Sequence, residues 1–522
     1  MNNKNFFLAC VGVFLMTFVL FSFSLNGEFL DWDDSVNFVL NPHYRGLAWD
    51  NIKWMFTTTH MNHYQPLSWL TLGADYAIWG MNHFGYHLTA VIIHSLNALL
   101  FFLLAFKVLS RTDMGGGGNN SSAALFPAFL AALFFSLHPL RAESVSWITE
   151  RRDILCGFFV LSSFLAYFNY AENCVPGEKS PQCRKSYYLS LFLSLCALLS
   201  KSMAVIIPPL FFVFDYFPLG RFFLPGESEK DGRIKSFLIK NRQILMEKLP
   251  FFALALIFAA VAYFWAGKPA GQPDYYAPSL AKGIYSYGFY LWKMLLPFGL
   301  VPVYPMPQSW ILPNALSLIA MSAFLIFSLK YRNKNPLFLA SFLYYFIALF
   351  PVCGLLNGAP QPASDRYTYL PMLPFAVIFG YLGGKMAFSA QKGRKFIFAG
   401  FLSVPLLLGG IAFFQQKAWS DSESLWLHQL EYDKTCAIAW NNLANVQHKK
   451  GNEPMALLYM TKAMDLKPDY PPYLCNAAKI HLAMGNNDAA LSLFEAAIRL
   501  DPSRYDAEAG INFIKGNTRE ED

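Results

Sequence analysis

The chain has 522 residues, of which 55% are hydrophobic, 17% aromatic and only 14% charged. Soluble globular proteins carry about 25% charged residues, so this composition excludes an ordinary soluble domain. The formal net charge is +7, but the basic residues are dispersed among loops. A nucleic-acid partner is therefore not expected.

Apolar segments of about 20 residues recur along the chain, which is the length that an α-helix needs to cross a bilayer. They predict an all-α polytopic membrane domain. Eleven spans are predicted, near residues 5–25, 86–107, 123–138, 153–170, 187–200, 202–217, 249–266, 313–329, 337–354, 369–386 and 395–414. A further segment near 283–298 is predicted to be re-entrant or interfacial, since two Lys/Arg-rich segments, 221–248 and 329–336, should both be cytoplasmic.

The positive-inside rule places the N-terminus in the cytoplasm. The odd number of spans then puts everything after residue 414 on the outer side, together with outer loops near 26–85 and 138–153. Cys174 and Cys183 share one loop. They can pair only if that loop faces an oxidising compartment.

The composition changes after the last span. We divide the chain into a membrane domain (1–414), a connector (415–436) and a tail (437–522). The tail has a 34-residue period, in which the matching pairs are Trp440 and Leu474, Gly451 and Gly485, Ala456 and Ala490, Ala463 and Ala497, and Pro468 and Pro502. This is the tetratricopeptide pattern. We expect two repeats and a capping helix, leaning on the connector or the membrane domain.

Two adjacent carboxylates, Asp33 and Asp34, follow the first span directly. Solvated surface acids are the simple interpretation. Adjacent carboxylates also perturb each other's ionisation, which suits a general base or a cation ligand. They could hold Mg²⁺ or Mn²⁺, although nothing in the sequence requires a metal. The histidines of the same loop form no convincing ligand set.

Charged side chains recur in later outer segments. The second loop offers His138, Glu143, Arg151 and Asp153, and Lys201 separates two spans. The segment "SDRYTYLP" adds Arg366 and Tyr369. Local ion pairing is one interpretation. The alternative is that the cations bind a phosphate, for which the guanidinium fork is suited. Three more residues are predicted to line the cavity for the acceptor: Tyr64, Gln65 and His87.

Several of these stretches, in this order and followed by tetratricopeptide repeats, form a family pattern. They are "WDDSVNFVLNPHYRGL", "YQPLSWLTLGADYAIWG", "FSLHPLRAESVSWITERRDIL", "SKS" and "SDRYTYLP". The chain resembles the transmembrane and tetratricopeptide-repeat O-mannosyltransferases and their bacterial relatives, in the C-type glycosyltransferase superfamily.

The resemblance implies transfer of a sugar, typically mannose, from a polyprenyl phosphate to a protein hydroxyl. It implies that Asp33 or Asp34 acts as base or orients the acceptor, without indicating which. Further positions match the family's motifs and are expected to bind the donor phosphate or sugar: His138, Glu143, Arg151, Asp153, Lys201, Arg366 and Tyr369. The short tail favours a bacterial inner-membrane protein with a periplasmic tail that guides the acceptor. The alternative function is a membrane scaffold whose repeats recruit periplasmic partners.

Overall fold

The structure is a computed structural model that describes residues 3–113, 121–174, 180–223, 233–265, 279–355, 361–390 and 392–517. Within these ranges the chain forms α-helices joined by short 3₁₀ or π turns, and no strand. The membrane-domain helices are α1 Asn3–Phe21, α2 Trp49–Thr57, α3 Pro66–Trp79, α4 His83–Leu109, α5 Ser121–Ser136, α6 Ala142–Ser146, α7 Arg151–Asn173, α8 Pro181–Ser200, α9 Ile207–Tyr216, α10 Arg233–Lys240, α11 Arg242–Met246, α12 Leu249–Trp265, α13 Leu280–Leu295, α14 Ile311–Tyr331, α15 Leu337–Leu349, α16 Leu373–Ser389 and α17 Arg394–Ala418. The remaining helices are α18 Ser422–Tyr432, α19 Ala437–Lys449, α20 Glu453–Leu466, α21 Pro471–Ala483, α22 Asn487–Leu500 and α23 Tyr505–Asn517.

The predicted all-α membrane fold is confirmed. Each of the eleven predicted spans falls on a helix. Among the described residues, six helices are long and apolar enough to cross a membrane, or seven if the bent pair Ala123–Ser136 and Pro139–Ser146 is one span. The count of eleven therefore stays a prediction, as does the topology of segment 283–298, which lies on α13.

The core of the membrane domain forms around α4, which packs against α1, α5 and α7. Helices in lipid associate through close packing of small residues rather than through the hydrophobic effect. Gly380 on α16 is an example, since a Cβ there would lie 2.2 Å from the carbonyl oxygen of Pro127 on α5. Any larger side chain at Gly380 would push these two helices apart.

The predicted second outer loop is folded and buried rather than exposed. Between α5 and α7 the chain forms two short 3₁₀ turns on either side of α6. His138 opens this segment, and its Nδ1 accepts a hydrogen bond from the backbone N–H of Leu140 (3.3 Å). Every residue from His138 to Asp153 is buried. The segment is therefore part of the protein interior.

A disulfide joins Cys174 and Cys183, at the facing ends of α7 and α8. α7 has 23 residues, which at 1.5 Å per residue gives a length of about 35 Å. The disulfide therefore lies on the opposite face of the membrane domain from Arg151, at the start of the same helix.

The tail consists of two helix hairpins, α19–α20 and α21–α22, followed by α23. The two hairpins turn in the same way, because Gly451 (φ 73°) and Gly485 (φ 77°) adopt the left-handed conformation that glycine tolerates. Gly510 of α23 lies close against Phe494 of α22. α23 therefore covers the end of the second hairpin, as expected for a capping helix.

The tail is docked on the membrane domain through α18. Trp426 is fully buried, in a cluster with Trp147 and Trp419 that also contacts Trp32. Beside this cluster, the N–H of Glu28 donates to the carbonyl of Ser420 (2.8 Å). The tail thus leans on both the connector and the first outer loop.

We expect Trp426→Ala to loosen this docking by about 3–5 kcal/mol, because it removes a fully buried aromatic side chain. The Trp426 ring lies 5.1 Å from that of Trp32, so the first loop should loosen too. The measurement is protease resistance of the connector and the thermal unfolding midpoint in detergent. The control, Leu427→Ala, truncates a side chain that is 46% exposed and should change stability by less than about 0.5 kcal/mol. Equal resistance of the two variants would contradict the prediction.

A candidate active site between three outer segments

The two adjacent aspartates have different environments. Asp34 is fully buried. One of its carboxylate oxygens accepts hydrogen bonds from the N–H (3.1 Å) and hydroxyl (2.5 Å) of Thr149. The other accepts one from the N–H of Leu30 (2.9 Å). Burial raises the pKa of Asp34 to about 7, although these hydrogen bonds oppose the rise. Asp34 therefore fastens the first loop to the segment before α7.

Asp33 is only partly buried, and its carboxylate accepts no hydrogen bond from any residue that the structure describes. Burial raises the pKa of Asp33, while the positive charges of Arg152 and Arg366 oppose the rise. The negative charge of Glu150 adds to it. Asp33 thus faces a cluster of charged side chains with its carboxylate available.

Glu150 lies at the centre of that cluster and its side chain is fully buried. Its carboxylate accepts from Nε (3.1 Å) and Nη2 (2.7 Å) of Arg152. Nζ of Lys201 lies 3.2 Å away and Nε of Arg366 lies 3.3 Å away. One carboxylate therefore gathers three cations from segments that are far apart in the sequence.

Two more carboxylates, those of Glu143 and Asp153, pair with two of these cations. Arg366 pairs with Glu143 through its guanidinium and also donates its backbone N–H to that side chain (3.0 Å). Lys201 pairs with Asp153. The aromatic ring of Tyr367 lies 5.0 Å from the Arg366 guanidinium and 6.0 Å from the Lys201 ammonium.

The formal charges of the cluster nearly balance. Three cations (Arg152, Lys201 and Arg366) face four carboxylates (Asp33, Glu143, Glu150 and Asp153). With all groups ionised the cluster has one excess negative charge, so the cations are already paired before any ligand arrives.

Five predicted site residues meet in this cluster (Asp33, Glu143, Asp153, Lys201 and Arg366), but Arg151 does not. Its guanidinium pairs with buried Asp75 (2.8 Å) and donates to the carbonyl of Tyr86, so it holds α3 and α4 to α7. Arg152 takes its place in the cluster. Successive helical residues point about 100° apart, and the pair "RR" alone does not indicate which of the two faces the site.

Tyr369, like Arg151, does not join the cluster around Glu150. Its hydroxyl accepts from Nδ2 of Asn97 (2.8 Å) and pairs with Nδ1 of His94 (2.7 Å), both on α4. Tyr367 is the tyrosine that borders the cations. His138 is fully buried, and its Nε2 lies 3.2 Å from the carbonyl oxygen of Met294.

Among the described residues, no hydrogen bond or ion pair joins the cluster around Glu150 to the three residues predicted to line the cavity for the acceptor. Tyr64 donates to the carbonyl of Phe56 (3.2 Å). Gln65 and His87 are buried, and His87 lies against Gly27, near the end of the first span.

His63, on which the charges of the cluster act, was not among the residues predicted from the sequence to form the site. It is exposed to solvent. The positive charge of Arg152, together with that of Lys201, lowers the pKa of this imidazole to about 3. The cations of the cluster thus favour the neutral form of His63.

The residues described offer no group of three or more His, Cys, Asp or Glu side chains placed to hold a metal ion. A role for Mg²⁺ or Mn²⁺ stays a prediction, and nothing below depends on a metal.

We expect Asp34→Asn to lower the stability of the protein by about 1–3 kcal/mol, because the new amide N–H₂ opposes the N–H of Leu30 and leaves a buried donor unpaired. Asp33→Asn removes no hydrogen bond within the described residues. Its free energy of unfolding should therefore stay within about 0.5 kcal/mol of that of the native protein. Thermal unfolding of both variants in detergent tests the contrast. Equal losses would show that the two acids do not differ in structural role.

Comparison with known sequences identifies the tail. The sequence model of the tetratricopeptide repeat matches residues 437–470 and 471–504. The two matched ranges coincide with the hairpins α19–α20 and α21–α22, and each range has the expected length of 34 residues.

The membrane domain is similar to a group of named enzymes. The chain is 24% identical over 485 residues to the human protein O-mannosyl-transferase TMTC4, covering 84% of this chain and 64% of that protein. It is 23% identical over 553 residues to mouse TMTC1, with 87% and 57% covered. For human TMTC3 the identity is 22% over 431 residues, with 78% and 45% covered. The chain thus spans less than two thirds of the length of these curated relatives.

A solved structure, the crystal structure of the APC/C hetero-tetramer Cut9-Hcn1, aligns with a TM-score of only 0.22 at 12% identity, over 93% of this chain and 96% of that chain. So low a score supports no structural conclusion. The matches to the named relatives extend well beyond the repeats. They confirm the predicted resemblance of this chain to the transmembrane and tetratricopeptide-repeat O-mannosyltransferases.

Proposed function

We propose that the protein is an integral-membrane glycosyltransferase. It moves a sugar, most simply mannose, from a polyprenyl phosphate to a hydroxyl group of a protein acceptor on the extracytoplasmic side. The observation that carries this proposal is the position of Asp33, which faces Arg152 and Arg366 with its carboxylate free. Such a transfer needs an acid and cations that meet at one site.

Asp33 acts as the general base. The acceptor hydroxyl must lose a proton as its oxygen attacks the anomeric carbon, and a positioned carboxylate accelerates such a step by about 10²–10⁴-fold. Burial raises the pKa of Asp33, which makes the carboxylate a stronger base than one in water.

The three cations stabilise the departing phosphate. Arg152 and Arg366 offer planar forks of N–H donors that suit phosphate oxygens, and Lys201 adds a point charge. Glu150 holds all three before the donor arrives. Such preorganisation lets the charge that develops on the phosphate be met without rearrangement of the site.

The relatives support the protein acceptor, because they are named protein O-mannosyl-transferases. The tail supports it as well, since tetratricopeptide repeats commonly bind other proteins and this tail docks on the loop that carries Asp33. An acceptor bound by the tail would be close to the site.

We further propose a bacterial inner membrane, with the N-terminus in the cytoplasm and the tail in the periplasm. The excess of Lys and Arg in the predicted cytoplasmic segments supports this orientation. The Cys174–Cys183 disulfide disfavours it, because that disulfide lies on the face opposite the site and disulfides are rare in the cytoplasm.

Single cysteines at exposed positions test the orientation. We expect a membrane-impermeant maleimide added to intact spheroplasts to label Thr461→Cys in the tail. It should not label Asn333→Cys, in the basic segment after α14, until the membrane is opened. Both positions are exposed in the structure. The reverse labelling pattern would overturn the orientation and agree with the disulfide.

We expect Asp33→Asn to lower sugar transfer by at least about 10²-fold, because the general base is lost. The measurement uses purified protein in lipid nanodiscs with labelled polyprenyl-phosphate mannose and a periplasmic extract as acceptor. Asp50→Asn is the matched control, since Asp50 is an exposed acid of the same loop and its loss should leave transfer unchanged.

The same assay separates the enzyme from the scaffold alternative. A scaffold would transfer no sugar in either form, and its recruitment of partners would not depend on Asp33. Transfer at the native rate by Asp33→Asn would dismiss the carboxylate mechanism even if the protein is an enzyme.

A further inference from the structure

We propose that the tail binds the protein acceptor as an extended segment, by its peptide backbone, through a chain of asparagine side chains on the layer formed by α19 and α21. This inference rests on the proposed function and names the form in which the acceptor is bound. It follows from how the repeats stack, from the hydrogen bonds among the asparagines and from the contact between this layer and the first outer loop.

The first helices of the repeats form one layer of the tail. α19 packs beside α21, and α21 packs beside α23. On α19, Asn442, Asn445 and Lys449 are spaced i, i+3 and i+7 and therefore share one side of the helix. On α21, Asn476 and Lys479 occupy the positions 34 residues after Asn442 and Asn445. All five side chains are partly or fully exposed. We call this surface the asparagine face.

Three asparagines of the layer form a chain of hydrogen bonds. Nδ2 of Asn476 donates to Oδ1 of Asn441 (2.9 Å), and Nδ2 of Asn441 donates to Oδ1 of Asn442 (3.0 Å). Asn441 is buried. No described residue bonds to the N–H₂ group of Asn442 or to the side-chain oxygen of Asn476. The chain therefore ends in a free donor on one helix and a free acceptor on the next.

The packing of the repeats does not account for these asparagines. The seam between the hairpins is apolar, with Ala444, Met460 and Tyr473 in one buried cluster. Asparagine is a poorer helix former than alanine, because its amide competes for the hydrogen bonds of the backbone. Asn442 and Asn476 nevertheless recur at the same position of consecutive repeats. A helix-weakening residue that recurs on an exposed face indicates a role in binding.

A free amide donor and a free amide acceptor complement a peptide group. Each peptide group has one N–H donor and one C=O acceptor, and an asparagine amide can pair with either of them. Secondary structure occupies these groups in a folded protein, whereas an extended segment leaves them open. The asparagine face therefore suits an extended segment of any sequence, and it does not suit a folded domain.

The asparagine face leads to the first outer loop. Lys449, the last residue of α19, pairs with Asp31 (2.8 Å), two residues before Asp33. Asn442 lies one α-helical repeat earlier, about 10 Å along the helix axis at about 1.5 Å per residue. An extended chain covers that length with about three residues. A segment bound at Asn442 and Asn476 thus places a nearby serine or threonine hydroxyl toward Asp33.

The test measures peptide binding to the full chain in lipid nanodiscs by fluorescence anisotropy. The probe is a fluorescein-labelled peptide of Ala, Gln, Ser and Thr residues. It is compared with a peptide of the same composition in scrambled order, and with one that is N-methylated at alternate residues and so lacks those N–H donors.

Two variants and a control separate binding from folding. Asn442→Ala/Asn476→Ala removes both ends of the chain. Asn442→Asp keeps an oxygen that accepts from Asn441 and loses only the free donor. Asn487→Ala is the matched control, since Asn487 is an exposed asparagine of α22. The thermal unfolding midpoint of each variant in detergent checks that the tail stays folded.

We expect the native protein and Asn487→Ala to bind the peptide and its scrambled form equally, and the N-methylated peptide about ten-fold more weakly. Both variants at Asn442 should bind the unmodified peptide about ten-fold more weakly than the native protein does. In sugar transfer to the same peptide they should raise the KM for the acceptor and leave kcat unchanged, because a contact made equally in the ground state and the transition state is lost.

Native affinity in both variants at Asn442, or no binding of the peptide by the native protein, would overturn this inference. The proposed function would stand in that case if sugar transfer still depends on Asp33. Loss of binding on scrambling would also overturn the inference, because it would show recognition of side chains rather than of the backbone. Asparagine-dependent binding without any sugar transfer would overturn the proposed function and leave the backbone recognition in place.

Discussion

The site depends on one buried carboxylate, Glu150, which is in contact with Arg152, Lys201 and Arg366. These cations come from the start of α7, from the break between α8 and α9, and from the segment before α16. A buried acid is costly unless it is paired and hydrogen-bonded, and removal of one partner from a buried ion pair costs about 3–5 kcal/mol. Glu150 therefore holds three distant segments together, and its charge keeps three like charges at short range.

The same constraint explains why two adjacent aspartates have separate roles. Asp34 is buried against Thr149, the residue directly before Glu150, so the first loop is fixed to the centre of the cluster. With Asp34 anchored, Asp33 is presented to the cations with its carboxylate free. One acid fixes the loop, and the other is free for the role of base that we propose. A single aspartate could not satisfy the three hydrogen bonds of Asp34 and also meet a substrate.

The sequence predicted the helices well, because length and hydropathy determine a membrane helix almost locally. The repeats could also be predicted, because their 34-residue period is visible in the sequence. Charged residues at the outer ends of spans were predicted to form the site, and five of them meet around Glu150; their role in catalysis stays a prediction. The sequence did not predict the direction in which individual side chains point. Arg151 and Arg152 are one residue apart, yet only Arg152 reaches Glu150. Tyr367 and Tyr369 differ in the same way, since only Tyr367 lies against the cations of the cluster.

The docking of the tail changes how its deletion should be interpreted. A protein without residues 430–522 would lose Leu443 and the other tail residues packed against Trp426, as well as the ion pair between Lys449 and Asp31 (2.8 Å), two residues before Asp33. An enzyme truncated in this way would lose activity even toward a small acceptor, because the loop that carries the base would lose its support. Loss of function on deletion therefore does not favour a scaffold over an enzyme. Single substitutions at Asp33 do separate them, since they leave the docked tail and the cluster around Glu150 in place.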